Sequence, residues 1–269
     1  MKKLILLLLL TTTSLWAKPV VLVSYYDPFA NAPFNNSETV AKALQGKISD
    51  SVTIKLCRLN TVFDKAYAQI EDCIKALKER PVMVIGLGEA FCGVKVEIAA
   101  RNYDKTKGPD NEGNERNGEI IRNAPANISM RYPLPQMYCS LTPDDRSELQ
   151  VSNSAGSFVC NNTAYQLNHY HPDLQFGFIH VPSHNCRDLG KKNEYAVRVL
   201  TTMISKGVEY LSTQFLVSPN TPHTSNELRM PILKNEIYGM RNAYKRSDKC
   251  MNEFFKKTVG VDERGFWSF

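Results

Sequence analysis

The amino-acid sequence predicts an α/β fold with a mostly parallel sheet and helices on both of its faces. Short apolar runs rich in β-branched residues alternate along the chain with segments whose apolar residues recur at helical spacing, and this alternation is typical of parallel sheets. The chain has 269 residues, of which 43% are hydrophobic and 22% are charged. Such a composition is ordinary for one large globular domain or two small ones.

The first seventeen residues are expected to be a secretory signal peptide and not part of this fold. Lys2 and Lys3 precede the apolar run 4–10, which is too short to span a bilayer, and Ala17 offers a small residue for cleavage. No later stretch approaches the roughly 20 apolar residues of a membrane span. The net charge is +6 and the basic residues are scattered. We therefore expect an exported protein, secreted or periplasmic, with no membrane anchor after cleavage and no nucleic-acid partner.

Strands and helices alternate in the first half of the chain. Strands are predicted in the apolar or alternating runs KPVVLVSYY (18–26), SVTIKLCRL (51–59) and PVMVIGLG (81–88). Helices are predicted in SETVAKALQG (37–46), with Ser37 as N-cap and Gly46 near the C-terminal end, and in VFDKAYAQIEDCIKALKER (62–80). The polar, glycine-rich residues 103–118 predict a loop.

The second half continues the pattern as far as residue 211. A helix is predicted from Cys160 to about Tyr170, followed by the strand LQFGFIHVP, which Pro182 ends, and by the amphipathic helix NEYAVRVLTTMISKGVEYL. Because functional sites of parallel sheets gather at the carboxyl ends of strands, the segments SYYDPF, GLGEAF and HVPSH are expected to lie near a site. The stretch SPNTPHTSNELRMP resembles a linker to a C-terminal extension.

The chain has an odd number of cysteines, which leaves at least one unpaired in an oxidising compartment. The seven are Cys57, Cys73, Cys92, Cys139, Cys160, Cys186 and Cys250. Three disulfides and one free thiol are the simplest partition, with Cys160 as the expected free thiol and Cys250 tying the extension to the main body. The connectivity of the others stays open.

Cys160 is the candidate nucleophile. It follows the small-residue turn 154–156 and opens a predicted helix, where unpaired backbone N–H groups lower the pKa of a thiol and favour thiolate. A thiol nucleophile needs a base and a group that orients the base. His180, at the end of an apolar strand, and Glu97, among apolar neighbours, are candidates. Each residue also has a purely structural alternative. Cys160 would be a buried small hydrophobic residue, His180 a hydrogen-bonded histidine of the core, and Glu97 an exposed glutamate.

Five segments together resemble a known family. VSNSAGSFVCNNTAY, FGFIHVP, VEIAARN, PDNEGN and YYDPFANAPFNNS occur in the order and near the spacing of pyroglutamyl peptidase I, the pyrrolidone-carboxylate peptidases. The resemblance covers about residues 19–210 and implies a three-layer α/β/α sandwich that removes N-terminal pyroglutamate from peptides through a Cys-His-Glu triad. It assigns Cys160 as the nucleophile, His180 as the base and Glu97 as the orienting carboxylate. The implied organisation is a signal peptide (1–17), a catalytic domain (18–210) and a C-terminal extension (211–269).

The resemblance also implies a substrate pocket, in which this chain departs from the family. Tyr26 and Phe29 correspond to two phenylalanines that sandwich the flat lactam ring. Glu89 replaces a usual glutamine, which adds a charge to the pocket, and Lys107 stands where an arginine assists the oxyanion. Peptides with N-terminal pyroglutamate are the expected substrates, and a homo-oligomer is left open.

Two further hypotheses belong to other classes. A binding protein of the same fold, non-catalytic or with altered specificity, would capture peptides or amides without turning them over. A metal site formed by His169, His171, His180 and His184 is disfavoured, because Pro182 breaks the helix that such spacing needs. No phosphate-binding glycine loop or dinucleotide fingerprint is present in the sequence, so no cofactor is expected.

Overall fold

A computed structural model of the protein describes residues 18–48, 52–217 and 249–258. The predicted signal peptide and the linker-like stretch 218–231 lie outside the described residues. The strands are β1 (Val20–Tyr26), β2 (Thr53–Leu59), β3 (Met83–Glu89), β4 (Lys95–Glu97), β5 (Ala99–Arg101), β6 (Asp104–Lys105), β7 (Asn117–Gly118), β8 (Asn127–Ser129), β9 (Gln150–Ser152) and β10 (Phe176–Val181). The helices are α1 (Asn36–Lys47), α2 (Lys65–Lys75), α3 (Leu134–Cys139), α4 (Pro143–Glu148), α5 (Val159–Tyr170), α6 (Leu189–Val217) and α7 (Lys249–Thr258).

The central sheet has six strands in the order β2-β1-β3-β10-β4-β9. All neighbouring strands run parallel except β10 and β4, which are antiparallel. Two small antiparallel ladders, β5–β8 and β6–β7, lie apart from this sheet. The mostly parallel α/β sheet predicted from the sequence is therefore confirmed.

Alternating side chains of the buried strands supply two cores, one on each face of the sheet. On one face, Val21, Ile85 and Ile179 pack with side chains of α1 and α6. On the other face, Leu22 and Phe178 belong to a core that includes side chains of α2 and α5. The strands read as continuous apolar runs because both of their faces are covered. The arrangement is the three-layer sandwich that the resemblance implies.

The cap of α1 differs from the sequence prediction. Asn35, not Ser37, is the N-cap, and its side-chain oxygen accepts a hydrogen bond from the Ser37 backbone N–H at 3.0 Å. The Ser37 hydroxyl accepts instead from the Tyr26 backbone N–H at 3.1 Å and so joins the end of β1 to the helix. Gly46 lies inside α1, which ends at Lys47.

The C-terminal region packs partly on the main body. Helix α6 runs without interruption through residue 210, and α7 lies against α3. Phe254 is buried with its ring centroid 5.1 Å from that of Tyr138. Cys250 pairs with Cys139, which agrees with the predicted tie between extension and body. None of the helices in the described residues is long and apolar enough to cross a membrane.

Candidate active site

Cys160 is the second residue of α5 and the free cysteine of the chain. The six other cysteines pair at disulfide distance as Cys57–Cys73, Cys92–Cys186 and Cys139–Cys250, in agreement with the predicted partition. The turn before α5 needs the glycine at 156, whose φ of +91° lies in the region that favours residues without a Cβ. The local sequence thus delivers the thiol to the start of a helix.

Gly88 provides the space for the sulfur. A Cβ added at Gly88 would lie 2.8 Å from the Cys160 Sγ and 3.1 Å from the ring of Phe178. Only a residue without a side chain leaves room for the thiol against β3. Sequence reasoning did not single out Gly88, although a glycine inside a buried strand is a known sign of a close approach.

His180 and Glu97 form a buried pair across neighbouring strands. The register places Phe178 opposite Glu97 on the antiparallel pair β10–β4, and His180 Nδ1 lies 2.8 Å from Glu97 Oε1. His180 is 6% exposed and Glu97 is fully buried. A contact between Nδ1 and a carboxylate oxygen suits the tautomer that carries its proton on Nδ1, in which Nε2 is the acceptor. His180 lies two residues after Phe178 on β10, so both side chains point to the same face of the sheet. This is the face covered by α5, where Cys160 lies.

The electrostatics of the thiol differ from the sequence expectation. The pKa of Cys160 is raised to about 12, chiefly because the thiol is buried and secondarily by the negative charge of Glu97, whereas its own backbone N–H lowers it. Burial beside carboxylates thus outweighs the helix N-terminus. A thiolate at Cys160 therefore needs a compensating positive charge nearby.

Glu89 is engaged by three partners at the carboxyl end of β3. Its Oε2 accepts from the Asn36 backbone N–H at 2.6 Å, and its Oε1 accepts from the Ser183 hydroxyl at 3.3 Å and lies 2.6 Å from His184 Nδ1. The negative charge of Glu89 also raises the pKa of the Cys160 thiol. A second Glu–His pair, which the sequence did not indicate, therefore lies near the thiol.

Aromatic side chains surround the start of α5. Tyr26 is 2% exposed. Burial and the nearby Cys160 raise the pKa of Tyr26 well above its ordinary value, while a hydrogen bond with Thr163 lowers it. The ring of Phe158 lies against those of Phe29 and Phe63, with centroids 4.9 Å and 5.1 Å away. Phe158 and Phe63 were not among the predicted pocket residues.

Lys107 lies in the loop between β6 and β7. Its side chain is exposed, and within the described residues no hydrogen bond or ion pair joins it to Cys160, His180 or Glu97. This loop is largely as predicted, apart from the two-residue ladder formed by Asp104–Lys105 and Asn117–Gly118.

A family model described as pyroglutamyl peptidase matches residues 19–210. The chain belongs to the pyroglutamyl peptidase family. It is therefore a cysteine-type omega-peptidase. The matched range agrees closely with the 19–210 over which the sequence motifs resemble the family.

Similar proteins and solved structures agree with this membership. The pyrrolidone-carboxylate peptidase of Brachyspira hyodysenteriae is 29% identical over 226 residues, covering 81% of this chain and 98% of the relative. That of Alkaliphilus oremlandii is 34% identical, covering 70% and 93%. The crystal structure of Bacillus amyloliquefaciens pyroglutamyl peptidase I has a TM-score of 0.62 at 25% identity, covering 72% and 98%. A mutant pyrrolidone carboxyl peptidase of Pyrococcus furiosus has a TM-score of 0.62 at 26% identity, covering 71% and 99%.

Proposed function

We propose that this enzyme removes N-terminal pyroglutamate from peptides, with Cys160 as nucleophile, His180 as general base and Glu97 as the group that orients the base. The observation that carries the proposal is the buried His180–Glu97 hydrogen bond of 2.8 Å, on the same face of the sheet as the free thiol. The names of the similar proteins, pyrrolidone-carboxylate and pyroglutamyl peptidases, support the substrate class.

The chemistry follows from the protonation states. His180 Nε2 takes the proton of the Cys160 thiol as the sulfur attacks the carbonyl carbon of the pyroglutamyl bond. The tetrahedral intermediate collapses when the imidazolium gives this proton to the departing amine. Water, deprotonated by His180, then hydrolyses the thioester and restores the thiol. Glu97 holds the required tautomer and stabilises the imidazolium in both halves of the reaction.

The start of α5 offers positive potential where negative charge develops. The first backbone N–H groups of a helix have no partner within the helix, and the Cys160 N–H already lowers the pKa of its own thiol. We assign oxyanion stabilisation to these groups, with Lys107 adding positive charge from its loop. Lys107→Ala is then expected to lower kcat more than it raises KM, because the oxyanion exists only beyond the ground state.

The pocket is assigned to Tyr26, Phe29 and Glu89. Tyr26 and Phe29 provide aromatic surface suited to a flat uncharged ring. A carboxylate at Glu89 accepts a hydrogen bond from a lactam N–H, but unlike an amide it does not donate one to the lactam carbonyl. We therefore expect this enzyme to differ in substrate preference from relatives with glutamine at this position.

We further propose that the protein is exported and acts in a secreted or periplasmic location. The N-terminal sequence supports export, and three disulfides are typical of an oxidising compartment. Residues 211–269 are proposed to be an extension of the catalytic domain 18–210, since α7 is attached to α3 by the Cys139–Cys250 pair. Thiol counting on denatured, unreduced protein is expected to return one thiol; three or more would contradict export through an oxidising compartment.

A direct assay tests the proposed substrate. The mature protein, starting at residue 18, is incubated with pyroglutamyl-arylamide beside alanyl- and prolyl-arylamides, and initial rates are compared. Hydrolysis confined to the pyroglutamyl substrate supports the proposal, whereas hydrolysis confined to the other two contradicts it.

A binding protein of altered specificity is the second candidate, favoured by the raised pKa of Cys160 beside Glu97 and Glu89. It would bind a pyroglutamyl peptide in calorimetry without turnover. It would also show slow alkylation of Cys160 by iodoacetamide near neutral pH, whereas the peptidase should show rapid alkylation.

A further inference from the structure

The Cys92–Cys186 disulfide joins the loop that follows β3 to the loop that follows β10. Residues 90–94 follow β3, which carries Gly88 and Glu89, and residues 182–188 follow β10, which carries His180. Cys92 and Cys186 are 94 residues apart in sequence. Their bond is therefore a long-range connection located just beyond the carboxyl ends of these parallel neighbours.

The loop after β10 also carries two of the three partners of Glu89, and the third, the Asn36 backbone N–H, belongs to α1. Ser183 donates its backbone N–H to the Phe91 carbonyl at 2.9 Å and its hydroxyl to Glu89. His184 lies 2.6 Å from Glu89, and the Cys186 N–H donates to the Ser183 carbonyl at 3.1 Å. The disulfide thus closes a compact unit that fixes His184 and Ser183 against Glu89, which we name the rim unit (residues 89–92 and 183–186).

The rim disulfide is the one most open to a reductant. Of the six paired cysteines, all within the described residues, Cys92 alone is exposed. Its partner Cys186 is 8% exposed, whereas Cys57 of the Cys57–Cys73 pair is 1% exposed. Since thiol–disulfide exchange requires a thiolate to reach a sulfur atom, accessibility favours reduction at Cys92.

We propose that the Cys92–Cys186 disulfide is a redox-sensitive clamp that holds the rim unit in position for substrate binding, so that the enzyme works best when Cys160 is reduced and this disulfide is intact. The inference rests on the proposed peptidase function. A dithiol opens the clamp in two exchanges: one thiolate attacks at Cys92 to form a mixed disulfide and releases Cys186, and the second thiol closes a cyclic disulfide and releases Cys92. Two electrons pass to the protein, and the two dithiol protons end on Cys92 and Cys186.

The clamp acts on substrate binding more than on the chemical step. His180 and Glu97 are held by the strand pairing of β10 with β3 and β4, and Cys160 by α5, none of which depends on the loops. Glu89, in contrast, is held on one oxygen by Ser183 and His184 of the loop after β10, and only its other oxygen is held from outside the loops, by the Asn36 N–H. Loss of the clamp should therefore raise KM with a smaller change in kcat, which a merely structural disulfide would not do.

The test compares two double variants. In Cys92→Ala/Cys186→Ala, KM for pyroglutamyl-arylamide is expected to rise by about threefold or more, while kcat stays within about twofold, since displaced rim groups misplace the substrate. In the matched control Cys57→Ala/Cys73→Ala, which removes a disulfide between β2 and α2, KM should equal that of the wild type. Equal KM values in all three folded proteins would overturn the clamp.

A reductant titration tests the same point without mutation. Activity of the wild type should rise with dithiothreitol as Cys160 is reduced, then fall as mass spectrometry finds Cys92 and Cys186 reduced and the other pairs intact. The rim variant should show only the rise. A wild type that keeps its full kcat/KM with Cys92 and Cys186 reduced would overturn the proposal, even if the rim variant does not fold.

A readout independent of peptidase activity separates failure of the clamp from failure of the proposed function. Opening the rim unit frees Glu89, whose negative charge raises the pKa of the Cys160 thiol, so it should accelerate iodoacetamide alkylation of Cys160, and the Cys57/Cys73 control should not. Faster alkylation in a protein that hydrolyses no pyroglutamyl substrate would support the clamp and contradict the proposed function. If the rim variant hydrolysed pyroglutamyl-arylamide with the KM of the wild type and its Cys160 were alkylated at the wild-type rate, the proposed function would be supported and the clamp contradicted.

Discussion

Gly88→Ala perturbs the thiol without altering any ionisable group. The added Cβ would lie 2.8 Å from the Cys160 Sγ and 3.1 Å from the Phe178 ring. Non-bonded heavy atoms settle at about 3.5–4.0 Å, so the sulfur has to move by roughly 1 Å. A displacement of about that size lowers catalytic rates by roughly 10²-fold, and overpacking a buried site costs about 1–3 kcal/mol of stability. We expect kcat/KM to fall by about 10²-fold while the protein still folds.

Two glycine variants serve as controls for this effect. Gly86→Ala, two residues earlier on β3, would place its Cβ 2.6 Å from the Phe178 ring. It should lower stability similarly with a smaller loss of activity. Gly46→Ala in α1 has no atom within 4 Å of the new Cβ and should leave activity unchanged. Activity is measured as pyroglutamyl-arylamide hydrolysis and stability by urea unfolding. If Gly88→Ala retained wild-type kcat/KM, the placement of the thiol against β3 would be wrong.

Three other variants test separate parts of the account. His180→Ala should confine Cys160 alkylation to strongly alkaline pH, because burial raises the thiol pKa to about 12 and the base is gone. Glu97→Gln should retain more peptidase activity than His180→Ala. Alkylation of His180→Ala at the wild-type rate near neutral pH would refute this. Burial raises the pKa of Asp104 to about 6, so the folded protein binds this proton more tightly than the unfolded chain. The stabilisation is present below about pH 4 and is lost as pH rises through 6. In Asp104→Asn, the free energy of unfolding in urea should therefore fall less between pH 4 and 7 than in the wild type, and an equal fall would contradict this. Cys139→Ala/Cys250→Ala should lower stability by about 2–5 kcal/mol with kcat unchanged, since these cysteines lie on the α1–α6 face and not with Cys160; a large loss of kcat in the folded variant would contradict that.

The long apolar segments of the chain allowed the central fold to be predicted. Strands β1, β3 and β10 are buried on both faces and appear in sequence as unbroken apolar runs, and α6 has strong amphipathic spacing. The short strands β4 and β9 have three residues each, which is too few for a period to be visible. Asn35 replaced the expected Ser37 cap because the Ser37 hydroxyl is engaged by the end of β1, a contact between residues eleven apart.

The candidate site was predicted from motifs more than from local physics. Cys160, His180 and Glu97 were proposed together because the motifs around them resemble those of a family, and their separation in sequence does not indicate the His180–Glu97 contact. Local reasoning predicted a lowered thiol pKa from the helix N-terminus, and the structure gives a raised one because burial and neighbouring carboxylates act from other elements. The Glu89–His184 pair was not predicted for the same reason, since Glu89 ends β3 and His184 lies in the loop after β10.

The most direct test of the account is the activity of Cys160→Ser. A serine hydroxyl is far harder to deprotonate than a thiol, and the replacement preserves volume in a site that has little spare space beside Gly88. With the mature protein and pyroglutamyl-arylamide, we expect kcat/KM to fall by at least about 10³-fold relative to the wild type, with an unchanged urea midpoint. A Cys160→Ser variant that turns over pyroglutamyl-arylamide at the wild-type rate would contradict the assignment of Cys160 as nucleophile and the mechanism built on it.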